Sequence, residues 1–230
     1  MIPLRDDQPV FSVPFINYFL IGLNVLVYLW ELAVGFQNPG AFQAVVLQFG
    51  LVPQHTVAVL TGHSYDPLAS GIVPIFTSMF LHGGFWHVAF NMLFLWIFGD
   101  NVEDYLGHFR YLFFYLSSGV AGSIVHILLN INSPMPTVGA SGAIAGVMGG
   151  YFILYPRARV LVWFPPIFFF HLPAWLMLGY WFLVQFFSGT VATVGNNGVA
   201  VWAHVGGFVA GILMIKAFRE RPHRYRYGTW

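Results

Sequence analysis

Gly139-Ala140-Ser141-Gly142-Ala143-Ile144-Ala145-Gly146 opens an apolar segment that reaches Tyr155 without a charged side chain. A second small-residue stretch, Ala203-His204-Val205-Gly206-Gly207, lies inside another apolar segment further along the chain. Small residues let helix backbones approach closely in a membrane, and polar groups at membrane depth are costly unless they have a role. The two stretches therefore predict two closely packed helices that bring a serine and a histidine together.

The composition places these helices in a bilayer. The chain has 230 residues, of which 58% are hydrophobic and only 7% are charged, whereas soluble domains carry about 25% charged residues. We therefore expect an integral membrane protein. A net charge of +1 offers no basic stripe to neutralise phosphates, which argues against a nucleic-acid partner. The absence of cysteine excludes disulfides, thiolate nucleophiles and thiolate metal sites.

We expect one all-α polytopic membrane domain, residues 1–230, with six spans. A span needs about 17–25 apolar residues, and the second and fourth candidates are short for that length. A polar segment, residues 1–14, precedes the spans, and a basic tail, residues 219–230, follows them. The predicted spans are residues 15–34, 85–98, 109–129, 141–155, 173–187 and 199–218.

Charge determines the expected orientation. All nine Lys and Arg residues fall on the side of the membrane that holds the N-terminus, and the three connections on the other side carry none. The positive-inside rule therefore predicts cytoplasmic termini. The first outer connection, Gly35–Gly84, mixes apolar pieces with Pro, Gly and His, so a half-immersed interfacial structure is expected there.

Four polar residues fall at one depth. Counted at about 1.5 Å per helical residue from the inner charged residues, His87, Asn91, Ser141 and His204 all lie in one layer of the outer leaflet. A serine hydroxyl needs a neighbouring base to become a nucleophile, and His204 is a base at the same depth. Taken singly, the serine could be a helix cap and the histidine a hydrogen-bonding bridge between helices. Together they predict nucleophilic chemistry.

The remaining polar groups suggest how an oxyanion would be held. His87 and Asn91 are spaced i, i+4 and share a helix face, as side-chain donors of an oxyanion hole would; hydrogen bonding in the core is the alternative. The backbone N–H of Ser141, at a helix start, would be a third donor. We interpret His82 as a brace of the preceding loop. No carboxylate lies in this layer to complete a triad. Glu31 is the only acid near the outer end of any span, and nothing in the sequence links it to His204. We therefore predict a Ser-His dyad.

These residues resemble the motifs of the rhomboid family of intramembrane serine proteases. The matches are Gly139-Ala140-Ser141-Gly142, the segment from His82 to Asn91, and Ala203 to Gly207 with its Gly206-Gly207 pair. The resemblance implies a six-helix bundle with Ser141 as nucleophile, His204 as base, and His87, Asn91 and the Ser141 N–H as oxyanion donors. Gly139, Gly142, Gly206, Gly207 and His82 would support them. Ala145 is a departure, because some members carry a tyrosine there that packs on the catalytic histidine.

The resemblance implies cleavage of transmembrane-helix substrates near the outer face, in a multi-pass protein of a bacterial inner membrane, without metal or cofactor. It also suggests substrate entry between the second and fifth spans, with Ser188–Gly198 as a flap. A zinc protease would need His-Glu-x-x-His, and the chain has none. The alternatives are a non-catalytic rhomboid-like factor that binds and escorts membrane proteins, which would lack Ser141 or His204, and a transporter, which would need polar groups reaching the inner face.

Overall fold

The protein is described by a computed structural model of residues 1–191 and 200–218. It is mainly helical, as predicted, although it also contains three strands. The predicted basic tail, residues 219–230, and residues 192–198 of the predicted flap lie outside the described residues. The helices are α1 (Phe15–Gln37), α2 (Pro39–Phe49), α3 (Pro53–Leu60), α4 (Leu68–Thr77), α5 (Phe85–Leu106), α6 (His108–Leu129), α7 (Ser141–Leu154), α8 (Ala174–Val191) and α9 (Val201–Ala217). The strands are β1 (Ile2–Arg5), β2 (Arg159–Phe164) and β3 (Phe168–Pro173).

Helix α7 lies inside the bundle, in contact with α5, α6, α8 and α9. Every residue from Gly142 to Tyr151 is buried, as expected for a helix that is apolar on all sides. A Cβ atom at Gly207 of α9 would collide with the carbonyl oxygen of Gly142, and one at Gly211 with that of Gly146. The backbones of α7 and α9 therefore touch, and this contact positions Ser141 relative to His204.

Helix α5 is longer than predicted. The span expected to end at residue 98 continues as one helix to Leu106, so Glu103 and Asp104 lie inside the helix and are buried. Glu103 accepts hydrogen bonds from the backbone N–H groups of Ile16 (3.0 Å) and Asn17 (2.7 Å). These donors belong to the first turn of α1, where N–H groups have no partner within the helix. The prediction ended α5 too early because it treated these acids as the aqueous end of the span.

A three-stranded antiparallel sheet in the order β1-β2-β3 departs from the all-α prediction. The N-terminal segment expected to be merely polar contributes β1, and the aromatic link after α7 forms the β2–β3 hairpin. The Tyr151 hydroxyl donates a hydrogen bond to Asp6, and the Arg159 N–H donates to Asp7 at 2.9 Å. These bonds attach the N-terminal segment to the end of α7 opposite Ser141.

The long first connection is ordered by α2, α3, α4 and a 3-10 turn at Ser78–Phe80. Leu51 forms an isolated antiparallel bridge with Thr137, just before the Ser141 motif. Among the described residues, α1 and α6 are long and apolar enough to cross a membrane, and α4 through α5, bent by 77°, would make a third span. Helices α7 and α9 are apolar but shorter. Length and composition alone therefore support two or three spans.

Candidate active site

Ser141 is the first residue of α7 and follows a constrained turn. Gly139 has φ of +133°, a conformation that L side chains rarely adopt. A Cβ atom at Gly139 would lie 2.7 Å from Nε2 of His87 and 3.5 Å from Oγ of Ser141. Gly139 therefore serves the turn and leaves room for the ring of His87. The first N–H groups of α7 have no carbonyl partner one turn earlier in the helix.

His204 of α9 lies within hydrogen-bond distance of the serine. Its Nε2 is 2.7 Å from Oγ of Ser141, and the side chain is only 8% exposed. The contact depends on the touching backbones of α7 and α9, and also on Gly206, where a Cβ atom would collide with Val125 of α6. The structure thus places the predicted nucleophile and base in direct contact.

Gln185 of α8 is a site residue that the sequence analysis missed. Its Oε1 lies 2.8 Å from Nδ1 of His204. An amide oxygen only accepts hydrogen bonds, so Nδ1 of His204 carries the proton and donates it. In the neutral ring, Nε2 is then the acceptor that faces the Ser141 hydroxyl. A polar amide in an otherwise apolar helix is a functional candidate by default, and that signal was available in the sequence.

Trp181, one turn before Gln185 on α8, packs beside the histidine ring. The ring centroids of Trp181 and His204 are 5.8 Å apart with an interplanar angle of 37°. Ala145, where a tyrosine was considered, is fully buried within α7. His204 is therefore held from α8, by a hydrogen bond and a ring contact. These are the positioning contacts that the sequence analysis could not name.

His87 and Asn91 of α5 lie at the same site. Both line a cavity of about 670 Å³ together with Ser141, His204 and Gln185. Nδ2 of Asn91 is buried and has no hydrogen-bond partner. A buried amide donor without a partner is costly, so the arrangement leaves a donor ready for an added acceptor.

His82 and Glu31 lie behind His87. The backbone N–H of His82 donates to both carboxylate oxygens of Glu31, at 3.2 and 3.1 Å. The imidazole of His82 contacts that of His87 edge to face, with centroids 5.2 Å apart. Glu31, for which we found no connection to His204, thus anchors the loop that leads into α5. His82 occupies the position expected of a loop brace.

The cavity lies between α5 and α8. Phe90 and Phe94 line it from α5, and Trp181 and Gln185 line it from α8. Most of the wall is aromatic or aliphatic, with the polar side chains gathered around Ser141. A mainly apolar cavity with a few converging polar groups is typical of a ligand or active site.

The fold and the site together define an integral membrane protein of packed helices in which a serine and a histidine meet beside a cavity. The family model described as the Rhomboid domain matches residues 69–221. The match includes Ser141, His204, His87, Asn91 and Gln185 and covers more than half of the chain. The chain belongs to the rhomboid family.

Curated relatives come from several organisms. The chain is 29% identical over 202 residues to Rhomboid protein 1, mitochondrial, of Saccharomyces cerevisiae, covering 85% of this chain and 51% of that protein. It is 45% identical over 75 residues to Rhomboid protease GluP of Bacillus subtilis, covering 33% and 14%. It is 33% identical over 134 residues to Presenilin-associated rhomboid-like protein, mitochondrial, of Homo sapiens, covering 56% and 35%. The chain thus matches about half or less of the length of each of these three relatives.

Proposed function

We propose that this protein is an intramembrane serine endopeptidase that cleaves transmembrane-helix substrates near the outer membrane face with a Ser141–His204 dyad. The contact of 2.7 Å between Oγ of Ser141 and Nε2 of His204, beside a cavity, carries the proposal. Family membership supports it as well, because GluP, a relative, is named a protease. In that role the protein's partners are membrane-spanning substrates and the bilayer around them.

The chemistry follows acyl transfer. Nε2 of His204 takes the proton of the Ser141 hydroxyl as Oγ bonds to the scissile carbonyl carbon, and the carbonyl π pair moves to oxygen. When the tetrahedral intermediate collapses, the C–N bond breaks and Nε2 gives its proton to the leaving nitrogen. Water then repeats the sequence on the acyl-enzyme and restores the serine.

The developing oxyanion would be held by His87, Asn91 and the backbone N–H of Ser141. The unpartnered Nδ2 of Asn91 supports this role, because a preorganised donor is most effective where charge develops in a site shielded from water. His87 reaches the space beside Gly139, where a Cβ atom would lie 2.7 Å from its Nε2, and it lines the same cavity as Ser141.

Gln185 would act as a positioning residue. By accepting from Nδ1 of His204 at 2.8 Å, it holds the tautomer in which Nε2 can take the serine proton. It has no charge, so unlike the aspartate of a triad it offers the imidazolium only a dipole. The reacting pair is still a dyad, with an amide that orients the base.

The substrate path would lie between α5 and α8, whose side chains line the cavity. A transmembrane helix must unwind locally to present a carbonyl, because its backbone groups are already paired. Substrates with helix-weakening residues near their outer ends should therefore be preferred.

We also propose the six-span arrangement with both termini on the cytoplasmic side. The distribution of Lys and Arg supports it. The two long apolar helices, the bent α4–α5 pair and the shorter apolar helices α7 and α9 would supply five of the spans, and α8 would be the sixth. The relatives include mitochondrial and bacterial proteins. Location in a bacterial inner membrane stays a prediction.

Purified protein in proteoliposomes with a model transmembrane substrate tests the function. Ser141→Ala and His204→Ala should each lower the turnover by roughly 10⁴-fold or more, and a fluorophosphonate probe should label the wild type but not Ser141→Ala. His171→Ala is the matched control, because this exposed histidine lies on β3, outside the cavity. Equal cleavage by wild type and both dyad variants would overturn the dyad. Binding of the substrate without cleavage by the wild type would favour the escort function.

A further inference from the structure

The tip of the β2–β3 hairpin, Phe164–Phe170, exposes a cluster of large apolar side chains. Ile167 is 72% exposed and Phe169 is 60% exposed. Phe164, Phe168 and Phe170 are exposed as well. Because β1-β2-β3 is the strand order, β3 is an edge strand. An apolar edge strand of this kind is an aggregation hazard in water, so the tip requires a cover.

The register shows that a buried face continues beyond the bundle. Val160 pairs with Leu172 and Val162 with Phe170, and both valines are fully buried in the core. Pairs on one face alternate along a ladder, so Phe164 and Phe168, the next such pair, continue this face. The face that packs on protein at the base of the hairpin is thus exposed at its tip.

Charge at the base of the hairpin favours a lipid surface as the cover. The connection from Tyr155 to Ala174 contains no acidic residue, and Arg157 and Arg159 are both exposed at its base. Asp7 of the N-terminal segment lies beside Arg159. On the other face of the sheet, the rings of Trp163 and Phe169 stack with centroids 6.3 Å apart. Aromatic side chains with adjoining cations are the composition that sits at the boundary between headgroups and acyl chains.

We propose that the hairpin tip is immersed in the inner leaflet of the membrane, with Arg157 and Arg159 at its anionic headgroups. The hairpin joins α7 directly to α8, so its base lies where these helices leave the bilayer. The inference rests on the proposed function in one respect, namely its arrangement of spans. Immersion covers the aromatic edge and fixes the sheet, and with it the N-terminal segment, against the membrane.

Single-cysteine labelling tests the depth of the tip, because the chain has no cysteine of its own. An environment-sensitive fluorophore on Phe168→Cys is placed in vesicles of phosphatidylcholine and phosphatidylglycerol that contain a shallow acyl-chain nitroxide. Leu183→Cys on α8, 51% exposed, is the lipid reference, and the fully exposed Tyr65→Cys between α3 and α4 is the water reference. Ile167→Cys replaces Phe168→Cys if that variant does not fold.

The label on the tip should lie about 5–10 Å into the boundary region. Its quenching by the shallow nitroxide should equal or exceed that at Leu183, which lies near the middle of α8, and should exceed that at Tyr65 severalfold. Quenching at the level of Tyr65 would overturn the inference. A blue shift of the label that appears only at high protein density would also overturn it, because a second copy of the chain would then be the cover. A water-exposed label at Leu183 would instead contradict the span arrangement in the proposed function.

The lipid charge is tested separately. Quenching at Phe168→Cys should be stronger with phosphatidylglycerol than with phosphatidylcholine alone, because anionic lipid attracts basic residues near its surface. Arg157→Gln combined with Arg159→Gln should remove that difference. Equal quenching in both vesicle types before the substitutions would overturn the role of the two arginines.

Discussion

Two polar clusters lie at opposite ends of α7 and use their hydrogen bonds differently. The carboxylate cluster, Asp6, Asp7, Glu103 and Asp104, accepts from backbone N–H groups and hydroxyls, as in the pair of bonds from Ser12 to Asp104. The candidate active-site cluster, Ser141, His204, His87, Asn91 and Gln185, lines a cavity and leaves Nδ2 of Asn91 without a partner. A paired polar group stabilises the fold, whereas an unpaired donor at a cavity is available to a ligand.

The sharpest test of this contrast compares two buried asparagines. Asn91→Ala should lower kcat by about 10²–10³-fold, the typical cost of one oxyanion donor, and should leave the thermal unfolding temperature unchanged. Steady-state cleavage in proteoliposomes and unfolding in detergent measure the two effects.

Asn17→Ala is the matched control. Asn17 donates to the Leu95 carbonyl at 3.1 Å and accepts from the Tyr111 hydroxyl at 2.8 Å. Its loss should cost about 1–3 kcal/mol of stability, with kcat retained. If Asn91→Ala destabilised the fold as much and kept its turnover, Asn91 would belong with the structural groups.

Disrupting the contact of α7 with α9 should lower both the turnover and the stability of the protein. In Gly207→Ala, the added methyl meets the carbonyl oxygen of Gly142, so the helices must separate. Overpacking of this kind costs about 1–3 kcal/mol, and the separation should also reduce turnover by moving His204 from Ser141. Gly22→Ala in α1, where a Cβ atom meets nothing within 4 Å, should lower neither, because alanine is the better helix former. Wild-type activity and stability in Gly207→Ala would show that the helices do not need this contact.

Gln185 should affect turnover alone. Gln185→Met keeps the side-chain length but removes the acceptor for Nδ1 of His204, and the loss of one hydrogen bond should lower kcat by about tenfold with KM unchanged. Gln185→Glu restores an acceptor oxygen and should recover turnover. Ser188→Ala, an exposed position on the same helix, is the control. If Gln185→Met and Gln185→Glu lost the same turnover, Gln185 would act through its packing and not by orienting His204.

The smallest effect is expected at the carboxylate cluster. Burial raises the pKa of Asp6, despite the hydrogen bond from Tyr151. The folded state then binds a proton more tightly than the unfolded state, so stability should fall as the pH rises from about 4 through the raised pKa, and stay level above it. Asp6→Asn should flatten this slope, as measured by unfolding between about pH 4 and pH 7.

Asp66 is the reference for that measurement. Hydrogen bonds from Ser64 and His55 lower the pKa of Asp66. Its contribution to stability therefore has the opposite pH dependence to that of Asp6, and is lost as the pH drops through the lowered pKa. Asp66→Asn should leave the decline with rising pH intact. A pH profile that Asp6→Asn does not alter would mean that Asp6 titrates normally.

Local patterns predicted the helices well and the non-local parts poorly. The first span was expected to begin at residue 15 and the fourth at residue 141, where α1 and α7 begin, because composition changes abruptly there. Helix rise predicted Ser141 and His204 at one depth, and in the structure Oγ of Ser141 lies 2.7 Å from Nε2 of His204. The end of α5 was missed because the hydrogen-bond partners of the buried Glu103 belong to α1. One of them, the N–H of Asn17, is 86 positions away in the sequence.

The sheet and the contacts that orient His204 could not be predicted from the sequence, for the same reason as the end of α5. Strand β1 has too few residues to show a period, and its partner β2 lies on the far side of α7 in the sequence. Gln185 carries no motif, and only the packing of α8 against α9 reveals that it meets His204. Contacts between distant segments leave little trace in either segment alone.

The pairing of β1 with β2 has a consequence for biosynthesis. Asp7 and Arg159, joined by a hydrogen bond, are 152 positions apart, so β1 emerges from the ribosome long before its partner strand exists. Long-range strand pairing is slow because loop closure comes before the contacts that reward it. The N-terminal strand must therefore remain unpaired while α1 to α7 are synthesised, and its docking comes late in folding.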